Sequence, residues 1–467
     1  MKNRYEINMC EGPLFGKILR FALPLMITNI LQLLFNAADM VVVSRFAADG
    51  NTALAAVGST NALSSLLVTL LSGLSLGATV VVSRLMGARD QTGVTRAVHT
   101  SITVALCGGV LMGLVGLFLG GTFLSWMDTP PNILPDAALY IKIYFCGLPA
   151  QMLLNFGAAL LRAVGDTRRP LYYLSASGVL NVLLNLVFVI VFHMDVAGVA
   201  LATVLSQCLS AVLVIRALIV NGGAVKLNPA ALRIHKEEFL QIFRVGMPAG
   251  VQSALIGLSN VLIQSSINLL DVSMAVVGAT SAQGIVIAAN TAANNIENFI
   301  YFSMNAIAQG TVNFVGQNAG AMKMDRVRRV VFLTAGMVSV LGLVFGSVVY
   351  FFGEFLLGIY RPGETEVISV GMIRFSYILL PYFFCGLMDV FAGGMRGLGR
   401  SVLPMIVSLL GACGFRILWI YTFFAWQPTL GMLYLSYPLS WALTAAVHAV
   451  CLFFTYRKTK RSVPSAT

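Results

Sequence analysis

From residue 16 to residue 455 the chain is a succession of twelve apolar stretches, near 16–44, 52–83, 95–120, 136–162, 170–192, 196–220, 240–270, 282–316, 327–352, 366–396, 403–425 and 431–455. About twenty such residues suffice for a helix to cross the hydrocarbon of a bilayer. Several of these runs are longer, so they must tilt, bend or project beyond it. Backbone groups find no partners in lipid, and segments of this length satisfy them as helices. The expected fold class is an all-α polytopic membrane protein with twelve transmembrane helices. Composition fits, with 58% hydrophobic and only 10% charged residues, against about 25% charged in soluble domains. The longest polar interval, about residues 221–238, is too short for a soluble domain of its own. The polar N-terminus lacks the short apolar core and small-residue cleavage site of a removable signal peptide.

A net charge of +12 would suit a nucleic-acid binder. Its distribution argues otherwise. With the N-terminus inside, 25 of the 30 Lys and Arg fall on the cytoplasmic side, in groups such as Arg84/Arg89/Arg96 and Lys323/Arg326/Arg328/Arg329. The outer loops carry mostly acids, among them Asp136, Asp195, Asp271 and Glu366. That asymmetry is the positive-inside rule. The charge encodes topology, so both termini are expected in the cytoplasm, with the lipid bilayer and not nucleic acid as the partner. The seven cysteines are scattered, with no CxxC and no Cys/His cluster, so no disulfide or transition-metal site is expected. No HExxH, GxSxG or P-loop occurs. The chain is therefore expected to be no enzyme, to need no cofactor, and to draw energy from an ion gradient.

The sequence also repeats itself. LRFALP at 19–24 resembles FRVGMP at 243–248, aligning Pro24 with Pro248 and Asn36 with Asn260 at an offset of 224. Gly77 to Ala88 matches Gly310 to Ala321 at 233, and Arg162 to Pro170 matches Arg396 to Pro404 at 234. Each repeat holds six spans, an even number, so both halves enter the membrane in the same direction. This is the parallel-repeat arrangement of transporters. The expected organisation is a six-helix lobe at 1–220, a cytoplasmic linker at 221–239, and a second lobe with a short cytoplasmic tail at 240–467.

Candidate site residues stand out because polar groups inside a span are costly. The first span carries Asn29, Gln32, Asn36 and Asp39, which fall within roughly 80° at 100° per residue. A carboxylate there costs at least about 2.5–3.5 kcal/mol and marks an ion or substrate path. Pro24 weakens the same helix and provides a candidate hinge. Asn181 and Asn185 share one face of the fifth span, and Thr203 lies in the sixth. A carboxylate, two amides and a hydroxyl suit a hard cation such as Na⁺, and the carboxyl equally suits H⁺. In the second half Asn290, Asn294, Glu297, Tyr301 and Asn305 line one face of the eighth span. Asn260, Gln264 and Asn268 join from the seventh, and Asp389 from the tenth. Two acids on a wet wall suit a cationic amphiphile. Lys142 and Arg374, near outer ends, are expected to snorkel or pair with acids. Trp126, Trp419, Trp426 and Trp441 are expected to be interface anchors.

Taken together, these residues resemble the multidrug and toxic compound extrusion (MATE) transporters, in their bacterial DinF and NorM branches. The resemblance rests on Pro24 with Gln32-x3-Asn36-x2-Asp39, on Asn181-x3-Asn185, on Thr203, on the Val315-Gly-Gln317 segment and on the paired arginine turns. It implies two six-helix lobes in a V and a monomer in the bacterial cytoplasmic membrane. The implied activity is export of amphiphilic, often cationic compounds in exchange for H⁺ or Na⁺. By the same resemblance Asp39 is the coupling acid, with Asn181, Asn185 and Thr203 around it and Pro24 as the bend. Asn185 stands where some DinF members have a second acid, and Asp389 lies about one turn from an acidic NorM position. The alternative expectation is a lipid-linked precursor flippase, whose anionic substrate would call for several deep cations.

Overall fold

A computed structural model describes residues 5–46, 50–127, 129–221, 223–276 and 281–461. The first half comprises α1 (Leu14–Phe46), α2 (Gly50–Gly87), α3 (Gln91–Trp126), α4 (Leu134–Cys146), α5 (Leu148–Ala163), α6 (Arg168–Leu186) and α7 (Asp195–Asn221). The second comprises α8 (Lys236–Val276), α9 (Ile285–Gly320), α10 (Met324–Phe351), α11 (Gly353–Tyr360), α12 (Thr365–Ile378) and α13 (Phe383–Gly397). It ends with α14 (Val402–Ser408), α15 (Phe415–Trp419) and α16 (Leu430–Arg461). No strand occurs among the described residues. Nine helical stretches and two bent pairs are long and apolar enough to cross a membrane. With α9, which is long enough at 36 residues but more polar, these make the twelve spans.

The repeat is visible in backbone geometry as well as in residues. The fourth span breaks by 47° between α4 and α5, and the tenth by 46° between α12 and α13. Pro149 and Pro381, 232 positions apart, stand at these breaks, where the missing N–H prevents a continuous ladder. The turns after the second and eighth spans place Arg89 and Met322, 233 apart, at the same positive φ of 58°. The arginine turns place Gly165 at φ 88° and Gly399 at φ 80°, a conformation glycine adopts without strain. A π-helical turn follows α6 at Val187–Val191 and closes the eleventh span at Ile420–Phe424, again 233 apart.

Two compact units emerge from the packing. One comprises Arg20–Gly250 with the N-terminal residues up to Gly12, and the other Val251 onward with Pro13–Leu19. The division falls inside α8, and residues 223–239 of the segment expected as the inter-lobe linker pack with the first unit. There the His99 ring bonds to the Asn228 N–H at 3.2 Å, and Thr100 accepts from the His235 N–H at 3.0 Å. Glycine lets α2 and the start of α8 approach closely. A Cβ on Gly246 would lie 2.7 Å from Leu74 Cα, and one on Gly73 or Gly77 would collide with α8 backbone. Such small-residue crossings are how membrane helices gain packing.

The arginine turn of the first unit is covered. Asp166 accepts from the Arg168 and Arg169 N–H groups at 3.2 and 3.1 Å and pairs with the Arg169 side chain. Arg169 also sits 5.6 Å from the Tyr5 ring centroid, and Met9 is fully buried. Burial pushes the Glu6 and Asp166 carboxyls above their ordinary range, with Arg169 opposing the shift.

Candidate functional site

In the first unit α1, α4 and α6 bring one carboxylate and two amides together. Phe35 of α1 lies on Gly178 of α6, where a Cβ would collide with the ring. This close approach holds Asp39, one turn farther along α1, beside α6. Asn185 Nδ2 donates to Asp39 Oδ1 at 2.5 Å, and Asn181 Oδ1 lies 3.4 Å from the same donor. Asn181 and Asn185 are buried, and Asn185 Oδ1 has no hydrogen-bond partner. A buried acceptor with no donor carries a desolvation cost of about 1–3 kcal/mol. Beside a carboxylate, that lone pair is available to a cation or to a proton's hydrogen-bond network. Tyr140 of α4 lies within electrostatic reach of Asp39, a neighbour that sequence spacing gave no means of finding.

The other expected members of this set lie apart from that contact. Thr203 Oγ1 donates to Val199 O of its own helix at 2.9 Å, a back-bond that satisfies the hydroxyl without Asp39. Gln32 and Asn36 are exposed on α1. The helix runs unbroken through Pro24, whose carbonyl accepts from the Thr28 hydroxyl at 2.7 Å. Only 22% of the most apolar window of α1 is buried, the lowest share among the candidate spans.

The second unit holds a cavity of about 350 Å³ between α8, α9, α12, α13, α15 and α16. Among the described residues its charged walls are Glu297, Arg374, Asp389 and Arg416. Glu297 is committed. Arg374 Nε and Nη2 donate to its two oxygens at 2.7 and 2.6 Å, and both residues are buried. The third guanidinium nitrogen donates to Asn290 Oδ1 at 2.7 Å. Asn290 in turn donates to Gln264 at 3.3 Å, and Gln264 to Asn268 at 3.0 Å. Bidentate geometry with flanking acceptors is what makes a buried ion pair tolerable. Asp389 lies near Asn305 and feels the charge of Arg396. Asn260, Gln264, Asn294 and Tyr301 also line the cavity.

Two expectations are corrected here, and one alternative is settled. Glu297 is not an open acid for a cation but half of an ion pair. Arg374, placed near an outer end, is 3% exposed and takes the pairing alternative instead of snorkelling. Trp419 and Trp441 are buried, Trp441 against Tyr382 at 5.1 Å between ring centroids and on the cavity wall. Trp126 and Trp426 remain exposed, as interface anchors should be. The residue missed as a wall of the site is Arg416. It lies as a cation inside the eleventh span, and its neighbours come from helices distant in sequence.

Fold and cavity define a polytopic helical membrane protein, built twice over, with a polar chamber in its second unit. The MatE family model matches it twice, over residues 24–187 and 258–422. The chain therefore belongs to the MATE family of membrane transporters, and is not an enzyme. It is 24% identical over 404 residues to the probable multidrug resistance protein YoeA of Bacillus subtilis, covering 85% of this chain and 84% of that one. It is 22% identical over 412 residues to the multidrug export protein MepA of Staphylococcus aureus, covering 88% and 87%. An outward-facing MATE transporter structure superposes with a TM-score of 0.88 at 19% identity, covering 99% of this chain and 100% of that one. That likeness shows the shared fold.

Proposed function

We propose that the protein is a secondary antiporter that exports amphiphilic small molecules in exchange for H⁺ or Na⁺. It would act as a monomer in the bacterial cytoplasmic membrane with both termini inside. The observation that carries this reading is the contact of Asp39 with Asn185 beside an unpartnered amide oxygen. Binding a cation neutralises Asp39 and competes for the acceptor that now ties α1 to α6. Because α1 is so little buried, its packing opposes displacement weakly. The ion thereby favours one arrangement of α1 over another, a population shift driven by differential affinity. A helix with a proline at its cytoplasmic end and an ion-sensitive tie farther along is suited to that movement. Pro24 is proposed as the point about which α1 bends.

The substrate is proposed to occupy the second-unit chamber, against Asn260, Gln264, Asn294, Tyr301 and Asp389. The flippase reading gains one observation, because deep cations are present in Arg374 and Arg416. The test is dye efflux from proteoliposomes under an imposed H⁺ or Na⁺ gradient, one at a time. Efflux should follow one of the two gradients. Equal efflux without any gradient would overturn the antiport reading.

A further inference from the structure

Arg416 is a buried cation on the wall of the second-unit cavity. It is 4% exposed, and no carboxylate among the described residues lies within ion-pair distance. Its Nε donates to Ser440 Oγ at 3.0 Å, and Nη1 reaches Asn260 Oδ1 at 3.5 Å. The Tyr437 and Trp441 rings stand 4.3 and 5.6 Å from its guanidinium carbon. Aromatic faces and neutral oxygens soften the cost of a buried charge without cancelling it. A guanidinium offers five N–H groups, and these neutral contacts take up only part of that capacity.

Each of the other charges of the chamber has an opposite charge acting on it. Glu297 and Arg374 neutralise one another, and Asp389 lies in the field of Arg396. What remains is one cation on the wall of a cavity of about 350 Å³ that also presents Tyr437, Trp441, Tyr382 and Met388. We infer that Arg416 receives the anionic group of an amphiphilic substrate, a carboxylate, sulfonate or phosphate, while the aromatic wall takes its apolar body. The planar fork of arginine matches such groups in a bidentate manner. The anion belongs either to a free amphiphile or to a lipid headgroup. The inference rests on the proposed transport function only for calling the bound molecule a substrate.

The experiment is equilibrium binding to the full chain in phosphatidylcholine nanodiscs, with empty nanodiscs subtracted and no ion gradient. The probes are 8-anilinonaphthalene-1-sulfonate, an aromatic anion, and ethidium, an aromatic cation. Arg416→Gln should weaken the anion on the order of tenfold or more, the scale of one lost charge-assisted hydrogen bond, and leave ethidium within about twofold. Arg416→Lys, which keeps the charge and loses the fork, should fall between. Equal affinities for the anion in wild type and Arg416→Gln, or equal losses for both dyes, would overturn the inference. Should Arg416→Gln fail to fold, competition in the wild type decides. Dodecanoate must displace the anion better than dodecyltrimethylammonium, and parity overturns the assignment. In phosphatidylglycerol nanodiscs, collapse of the wild-type-to-variant ratio identifies a lipid headgroup as the anion. An unchanged ratio identifies a free solute. Anion binding through Arg416 without gradient-driven efflux would refute the transport reading and leave this one standing.

Discussion

The two halves of the chain share a scaffold and differ in what they bury. Their turns coincide down to the φ of Arg89 and Met322 and the breaks at Pro149 and Pro381. At an offset of 233, however, Glu297, Arg374 and Arg416 correspond to Ser64, Ile141 and Leu183. Asp39, in turn, aligns with Ile263 at the offset of 224 set by Pro24 and Pro248. α2 is apolar with a mean hydropathy of 2.0 in its best window, whereas its counterpart α9 falls outside the candidate spans. Duplication supplied a frame that tolerates change at wall positions, because backbone geometry depends on glycines, prolines and small contacts held in common. Each copy then acquired a different polar set: one carboxylate with two amides in the first, an ion pair and an orphan cation in the second.

The comparison can be broken most forcefully at the ion pair. Glu297→Gln leaves Arg374 buried opposite a neutral group, and should cost about 3–5 kcal/mol of stability, seen as a large loss of folded protein in a thermal-shift assay. Glu297→Leu with Arg374→Leu should recover much of that loss, because the first half is built with Ile141 where Arg374 stands. Failure of the double variant to recover would show that the second frame needs its charges.

A smaller effect separates the two arginine turns. Alanine at Gly399 meets a positive φ, at roughly 1–2 kcal/mol. Alanine at Gly165 meets the same strain, and its Cβ would lie 2.8 Å from the Ile7 N–H nitrogen. Gly165→Ala should therefore lower the melting temperature more than Gly399→Ala, and expose the N-terminal segment to protease. Equal shifts would deny the N-terminal cover any structural role.

The smallest effect is a pH dependence confined to the first half. Burial raises the Glu6 carboxyl above its ordinary value of 4.5, so docking favours the protonated form. Docking strength is complete below that ordinary value and declines as pH rises through the raised one. Protease sensitivity of residues 5–12 should thus increase with pH over this range, and Glu6→Gln should flatten the rise. An increase in the variant equal to that of the wild type would place the titration elsewhere, with Asp166 the neighbouring candidate.

The fold was largely legible because apolar length, Pro and Gly punctuation and charge asymmetry are local signals. Even α9 was found as a span at 282–316, since length survived where hydropathy weakened. The contact of Asp39 with Asn185 was half legible. Periodicity put each on the polar face of its helix, but Thr203 was grouped with them though its hydroxyl bonds within α7. The Glu297–Arg374 pair was not assigned because its members lie 77 residues apart and nothing in spacing couples α9 to α12. Trp441 was misplaced for a related reason: an indole reads alike at a membrane interface and on a cavity wall until its neighbours are known.

The coupling ion is proposed to act in the first half and the substrate to bind in the second. Asp39→Asn tests it directly, measured in one preparation for dye binding at equilibrium and for gradient-driven efflux from proteoliposomes. The account predicts dye affinity within about twofold of wild type, as for a substitution outside the binding chamber, with gradient-driven efflux lost. Wild-type efflux in that variant, or a loss of dye binding as deep as that of Arg416→Gln, would contradict it.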